Sequence, residues 1–165
     1  VAQARLAPSV HNVQPALWHL DGNSVVLFED KQVRLSAGDP SGHDAAISLG
    51  AALEGMAMAA GQGGLQVSHR PSNPESEGDL RAVVRLTFTP ATVNDPLVSY
   101  VEARQSWRGD FPPATGGDRQ VAEALANAEC IPVTDPHTVR AIARMLDLAS
   151  FTFTQRDDFR AELLS

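Results

Sequence analysis

The chain has 165 residues, 43% hydrophobic and 20% charged, with a formal net charge of −7. That length fits one domain of the common ~100–150 residues, large enough to bury a core without staples, and the composition is that of a globular rather than a disordered chain. The acidic balance excludes a nucleic-acid surface, which needs clustered Lys and Arg, and no apolar run approaches the ~18 residues of a membrane span.

Taken in chain order, residues 1–6 read as the tail of a helix that Pro8 stops, because the residue before a proline avoids helical backbone. Residues 16–20 and 24–28 are expected as strands flanking Asp21-Gly22-Asn23, a short hairpin signal, and residues 32–35 as a third short strand. Asp39-Pro40 is expected to open a helix, with Asp as its cap and Pro in its first turn, running to about Ala60 and stopped by Gly61-Gln62-Gly63-Gly64. Small residues on this central helix (Gly50, Ala51, Ala57 and Ala60) permit another backbone to approach closely. Residues 65–69 and 82–89 read as strands, Val84, Leu86 and Phe88 alternating with Arg85, Thr87 and Thr89, with a polar loop over 71–78. The Asp-Pro helix signature recurs at Asp95-Pro96, leading to Arg104, and at Asp135-Pro136, leading to about Ala149 or beyond. A shorter helix is expected over 118–129 and a brief strand over 131–133. Helices around a small, mostly antiparallel sheet make the fold class α+β, with no internal repeat visible. The chain opens on Val1 inside a helical stretch and closes at Leu163-Leu164-Ser165 without a stop signal, so a piece of a longer protein is expected. The single Cys130 excludes an internal disulfide, fits a reducing cytoplasm, and reads as a small buried apolar side chain.

Between the first apolar stretch and the first strand lies Ala7-Pro8-Ser9-Val10-His11-Asn12-Val13-Gln14-Pro15-Ala16-Leu17-Trp18. Small polar side chains on such a proline-bounded loop can hydrogen-bond a flat, heteroatom-rich ring; equally, they can satisfy the loop's own backbone. Farther along, Arg104-Gln105-Ser106-Trp107-Arg108-Gly109-Asp110-Phe111 places two arginines four apart, where on a helix end they would share a face and converge on one phosphate. Their alternative is a solvated pair bonding carboxylates such as Glu102 and Asp110.

The loop resembles the APSxxNxQPW loop of the nitroreductase family, with Ala16-Leu17 inserted where the family has Trp directly after the proline. The arginine segment is similar to that family's RxSxRxF element, and Ile47-Ser48-Leu49-Gly50-Ala51-Ala52-Leu53-Glu54 to its ISLGAALEN helix. The order of these elements is reversed relative to an ordinary member, which resembles the tandem, two-repeat branch, and on that resemblance residues 1–103 form a first half and 104–165 the start of an incomplete second.

The resemblance implies a nitroreductase-like α+β fold that holds FMN and passes hydride from diffusing NADH or NADPH to an electron-poor small-molecule acceptor. It implies that Ser9, Asn12 and Gln14 orient the flavin ring and that Arg104, Ser106 and Arg108 hold its phosphate. It further implies a homodimer or an intrachain pseudo-dimer. A flavin-sequestering or flavin-less relative is the alternative from another class, and an unrelated α+β binding domain a third. No catalytic acid or base stands out, the five histidines and one cysteine show no metal spacing, and no dinucleotide fingerprint or nucleophile elbow is present.

Overall fold

The computed structural model describes residues 1–72, 76–92, 95–113, 115–126 and 131–164, with only the backbone of Ser76 and Glu77. It contains two compact units, Val1–Gln105 with Glu162–Ser165, and Ser106–Ala161.

The first unit is built on an antiparallel sheet in the order β1-β2-β5-β3, with the short β4 also pairing β5. Its strands are β1 (Ala16–Asp21), β2 (Ser24–Asp30), β3 (Leu65–Pro71), β4 (Ser76–Glu77) and β5 (Leu80–Pro90). The β1–β2 turn closes through Gly22 at φ +57°, a left-handed position that glycine adopts without steric cost. Helix α1 (His43–Gln62) covers one sheet face, and Leu49 and Met56 from it join Leu27, Val84, Leu86 and Ala4 in the core. Trp18, Val25, Val67 and Phe88 pack around that cluster, the period-2 alternation of β5 setting which residues face inward.

Several local expectations are corrected. Residues 1–6 hold a short 3-10 turn (Gln3–Leu6), not the tail of an α-helix. Residues 32–35 make no strand: Lys31–Val33 is a 3-10 turn, because the Asp30 carboxylate accepts from Gln32 N at 2.9 Å and curls the chain. Helix α1 starts at His43 rather than Pro40, although the Asp39 carboxylate still accepts from Ala45 N at 2.8 Å. Close backbone approach occurs at Gly55, where an added Cβ would lie 3.3 Å from Ala4 Cα, whereas Gly50 is exposed with nothing within 4 Å. The stretch 71–78 is partly strand, since Ser76 and Glu77 pair Arg81 and Leu80. Asp95-Pro96 opens only a 3-10 turn (Pro96–Tyr100), with no regular helix from 101 to Arg104.

A register shift between Leu27 and Phe28 leaves Val83 as an extra residue on β5 and brings Glu29 directly opposite Arg81. Glu29 is 1% exposed and both its oxygens are occupied. Arg34 donates to them from Nε at 2.7 Å and Nη2 at 2.9 Å, and Arg81 from Nε at 2.5 Å. The Arg34 hydrogen bond holds the Glu29 carboxyl below the usual glutamate range; burial opposes it, and Arg81 adds to the lowering.

In the second unit, α2 (Gly116–Ala126) begins where Asp118 accepts from Thr115, and α3 (Pro136–Thr154) where Asp135 accepts from Thr138 N at 2.7 Å. Helix α4 (Asp157–Leu163) follows, and the Phe159 ring packs 5.7 Å from that of Phe153. Residues 131–133 form no strand, Ile131 being 92% exposed, while Cys130 and the expected helical residues 127–129 lie outside the described residues. No described residue of this unit is buried, and Val139, Ile142, Met145, Leu146, Leu148 and Phe151 are exposed on α3. Among the described residues no helix is long and apolar enough to cross a bilayer, and no group of three or more His, Cys, Asp or Glu side chains could hold a metal ion.

Glu29→Gln should lower stability by about 3 kcal/mol in a denaturant titration at pH 7, since it removes the buried charge that both guanidiniums face. Because the native carboxyl is shifted down, its contribution is present above the unfolded value and is lost as pH falls through the lower native one. Wild type should therefore lose stability in that acid window through this group, and Glu29→Gln should lack that loss. Gly55→Leu should destabilise by about 1–3 kcal/mol through overpacking and displace the 3–6 turn, read as faster amide exchange there.

Candidate functional site

After Pro8, a 3-10 turn (Val10–Asn12) precedes β1. His11, Asn12 and Gln14 have φ of 46°, 60° and 53°, left-handed backbone that is costly for residues other than glycine, and least so for Asn. Side-chain bonds close over this turn. Ser9 Oγ accepts from Gln14 N at 3.0 Å, and Gln14 Nε2 faces Asn12 Oδ1 at 3.0 Å, Ser9 Oγ at 3.2 Å and Ala7 O at 3.4 Å. Ser9, Asn12 and Gln14 thus converge on one another.

Ser48, 6% exposed on α1, ties the loop to the helix by accepting from Val10 N at 3.2 Å and donating to Asp44 O at 2.7 Å. Beside this link lies a cavity of about 250 Å³, with Pro8, Ser9 and Val10 on one side and Asp44, Ile47, Ser48 and Ala51 on the other. The walls are mostly apolar, and Ile47 is 59% exposed at the opening. Sequence reasoning placed Ile47 and Ser48 on the helix but gave them no part in a site. The available signal was a hydroxyl on the same helical stripe as Leu49, Ala52 and Met56, all of them buried.

Arg104 reaches the same turn: its Nη2 donates to Leu6 O at 3.3 Å, one residue from the carbonyl that receives Gln14. It bonds a main-chain carbonyl rather than a carboxylate, and its remaining N–H groups make no other hydrogen bond among the described residues. Ser106 and Arg108 belong to the second unit and are exposed on a stretch without regular structure, so Arg104 and Arg108 do not share a helical face. Within that unit the Trp107 indole lies over Gly109, where an added Cβ would come 2.9 Å from Cζ2, and Trp107 Nε1 donates to Asp110 O at 3.3 Å. Trp18 is on β1, half-buried against the core, and its Nε1 has no acceptor among the described residues.

No protein-family model matches the chain. Among curated proteins, it is 28% identical over 123 residues to "Putative NAD(P)H nitroreductase Rv3131" of Mycobacterium tuberculosis, covering 73% of this chain and 36% of that protein. It is 36% identical over 86 residues to "Putative NAD(P)H nitroreductase acg" of the same organism, covering 52% of this chain and 25% of that one. The chain therefore spans about a third or less of the curated relatives it matches. A solved structure described as "Putative NADH Oxidase" from Clostridium acetobutylicum aligns over 55% of this chain and 72% of its own, with 14% identity and a TM-score of 0.46. The chain is thus similar, at modest identity and over part of their length, to curated proteins named putative NAD(P)H nitroreductases.

Proposed function

We propose that this chain forms part of an NAD(P)H-dependent oxidoreductase of nitroreductase type that holds FMN against the Pro8–Pro15 loop. The observation that carries the reading is the convergence of Ser9, Asn12 and Gln14 beside an apolar slot, with Arg104 anchored at the same turn. Hydroxyl and amide donors suit the carbonyl- and nitrogen-rich edge of a flavin, and Pro8, Val10, Ile47 and Ala51 suit its flat face. Bound FMN supplies hydride acceptance and donation, which explains why the chain needs no acid–base pair of its own there.

The chain's residues bind and orient. Ser9 and Asn12 donate to the ring edge from a turn that Ser48 fixes on α1. Arg104, Ser106 and Arg108 hold the phosphate through charge-assisted hydrogen bonds. The reductant, NADH or NADPH, and an electron-poor small-molecule acceptor use the open side of the slot. A second nitroreductase-type half, from a second copy or from the same polypeptide, completes the pocket; the exposed apolar side chains of α3 support such a partner surface. The protein works in the cytoplasm, as a single cysteine suits.

The mutual bonding of the loop side chains favours a second reading, a relative that binds flavin without turning it over or that has lost it. Absorbance of the purified full-length protein separates the two. Flavin bands that bleach anaerobically on adding NADPH or NADH support the enzyme; bands indifferent to both mark a sequestering relative. A colourless protein that ignores added FMN overturns the flavin reading. Arg104→Ala and Arg108→Ala should each weaken FMN binding by about 2–5 kcal/mol in a fluorescence titration, and unchanged affinity would remove that arginine from the site.

A further inference from the structure

The carboxamide of Gln14 points into its own loop. Its nitrogen carries two hydrogens and faces three oxygens, Asn12 Oδ1 at 3.0 Å, Ser9 Oγ at 3.2 Å and Ala7 O at 3.4 Å. A main-chain carbonyl can only accept, so the Ala7 contact fixes which end of the amide is nitrogen, and the Asn12 atom facing it must be oxygen. Ser9 Oγ also accepts from Gln14 N at 3.0 Å, which fills both lone pairs of that hydroxyl. The donors left for a ligand are the Ser9 hydroxyl hydrogen and the Asn12 amide NH2; Asn12 Oδ1 keeps a second lone pair beside Gln14, and Gln14 Oε1 is the loop's other acceptor.

We infer that Gln14 is a positioning residue, and that by drawing the acceptors of Ser9 and Asn12 toward its own NH2 it turns their donors outward. Those donors favour a ligand face built of acceptors (carbonyl oxygens and unprotonated ring nitrogens) over one that presents N–H or O–H groups. The same bonds span a turn with left-handed backbone at residues 11, 12 and 14, so the clamp that sets polarity also holds the conformation. This revises the part expected for Gln14 alongside Ser9 and Asn12. The identity of the ligand as FMN rests on the function proposed above; the clamp itself does not.

Two variants of the full-length protein separate polarity from mere bracing. Gln14→Glu puts an acceptor where the donor was, so the Ser9 hydroxyl and the Asn12 amide turn inward to satisfy it. Gln14→Met keeps the length, removes the bonds, and leaves both donors outward. FMN affinity should fall about tenfold further in Gln14→Glu than in Gln14→Met, the scale of a hydrogen bond left unmade, at matching melting temperatures. Equal losses in the two variants would reduce Gln14 to an ordinary brace, and no loss in either would overturn its role altogether. In ligand-free wild type, the Gln14 side-chain NH2 should exchange slowly with solvent by NMR. Fast exchange overturns the clamp whether or not flavin binds, whereas slow exchange in a protein that ignores FMN overturns the flavin assignment alone.

Discussion

The contact on which the site depends is the approach of two backbones, Ala4 on Gly55, close enough that a Cβ on Gly55 would press on Ala4 Cα at 3.3 Å. A helix interior normally disfavours glycine by about 1 kcal/mol relative to alanine, so its presence needs a compensating gain. Here the gain is that the 3–6 turn lies directly on α1, with Ala4 1% exposed. The carbonyls that follow, Leu6 and Ala7, are thereby set where Arg104 and Gln14 can reach them. Ser48 makes the second tether a few residues on. With both ends of its approach fixed to a helix that itself caps the sheet, the loop can keep left-handed backbone at three non-glycine positions.

The sheet contributes rigidity by a different route. The extra residue at Val83 shifts the register so that Glu29 meets Arg81 across the strands, and the turn after β2 returns Arg34 to the same carboxylate. Two guanidiniums, each nearly half exposed, share one fully buried carboxylate. The geometry compensates the buried charge while leaving the cations partly hydrated, which lowers the desolvation cost that such a group otherwise carries. The ion cluster ties the β2–β5 pair to the turn that precedes α1.

The strands were legible because period-2 alternation is a direct consequence of one buried face, and Val84, Leu86 and Phe88 fall on that face. Local chemistry was less decisive where tertiary packing arbitrates. The same Asp-Pro signature precedes both a 3-10 turn at Pro96–Tyr100 and the helix Pro136–Thr154, and in each the Asp caps as expected. The cap starts a turn; it does not propagate one. Val98, Ser99, Tyr100 and Val101 are weaker helix formers than the Ala, Arg, Met and Leu residues that fill α3, and nucleation without propagation ends early. Asp39 likewise caps from outside the helix, its carboxylate reaching Ala45 across three residues of turn, an arrangement a linear reading compresses into one. In the site, residue types and order marked the polar loop, but not that its side chains would face one another. That depends on φ at His11, Asn12 and Gln14, a quantity no residue spelling fixes. Gly55 could not be singled out from its small neighbours for the same reason, since which helix stripe meets Ala4 is settled by the whole core.

The site's composition bears on what the chain is asked to do. Its polar groups are the hydroxyls of Ser9 and Ser48, two carboxamides and a guanidinium anchored at Leu6, with Asp44 on the wall, and no described histidine lines the cavity. Amides and hydroxyls near neutral pH neither gain nor lose protons, so they orient a partner without exchanging charge with it. A surface of that kind has value when the reactive electrons reside in a bound group and the protein's part is to fix that group's edge, exclude alternatives and leave one face open. The same logic explains why rigidity is concentrated behind the loop, in Ser48, Gly55 and the Glu29 cluster. An edge that recognises through the direction of its donors works only if those directions are held before the ligand arrives.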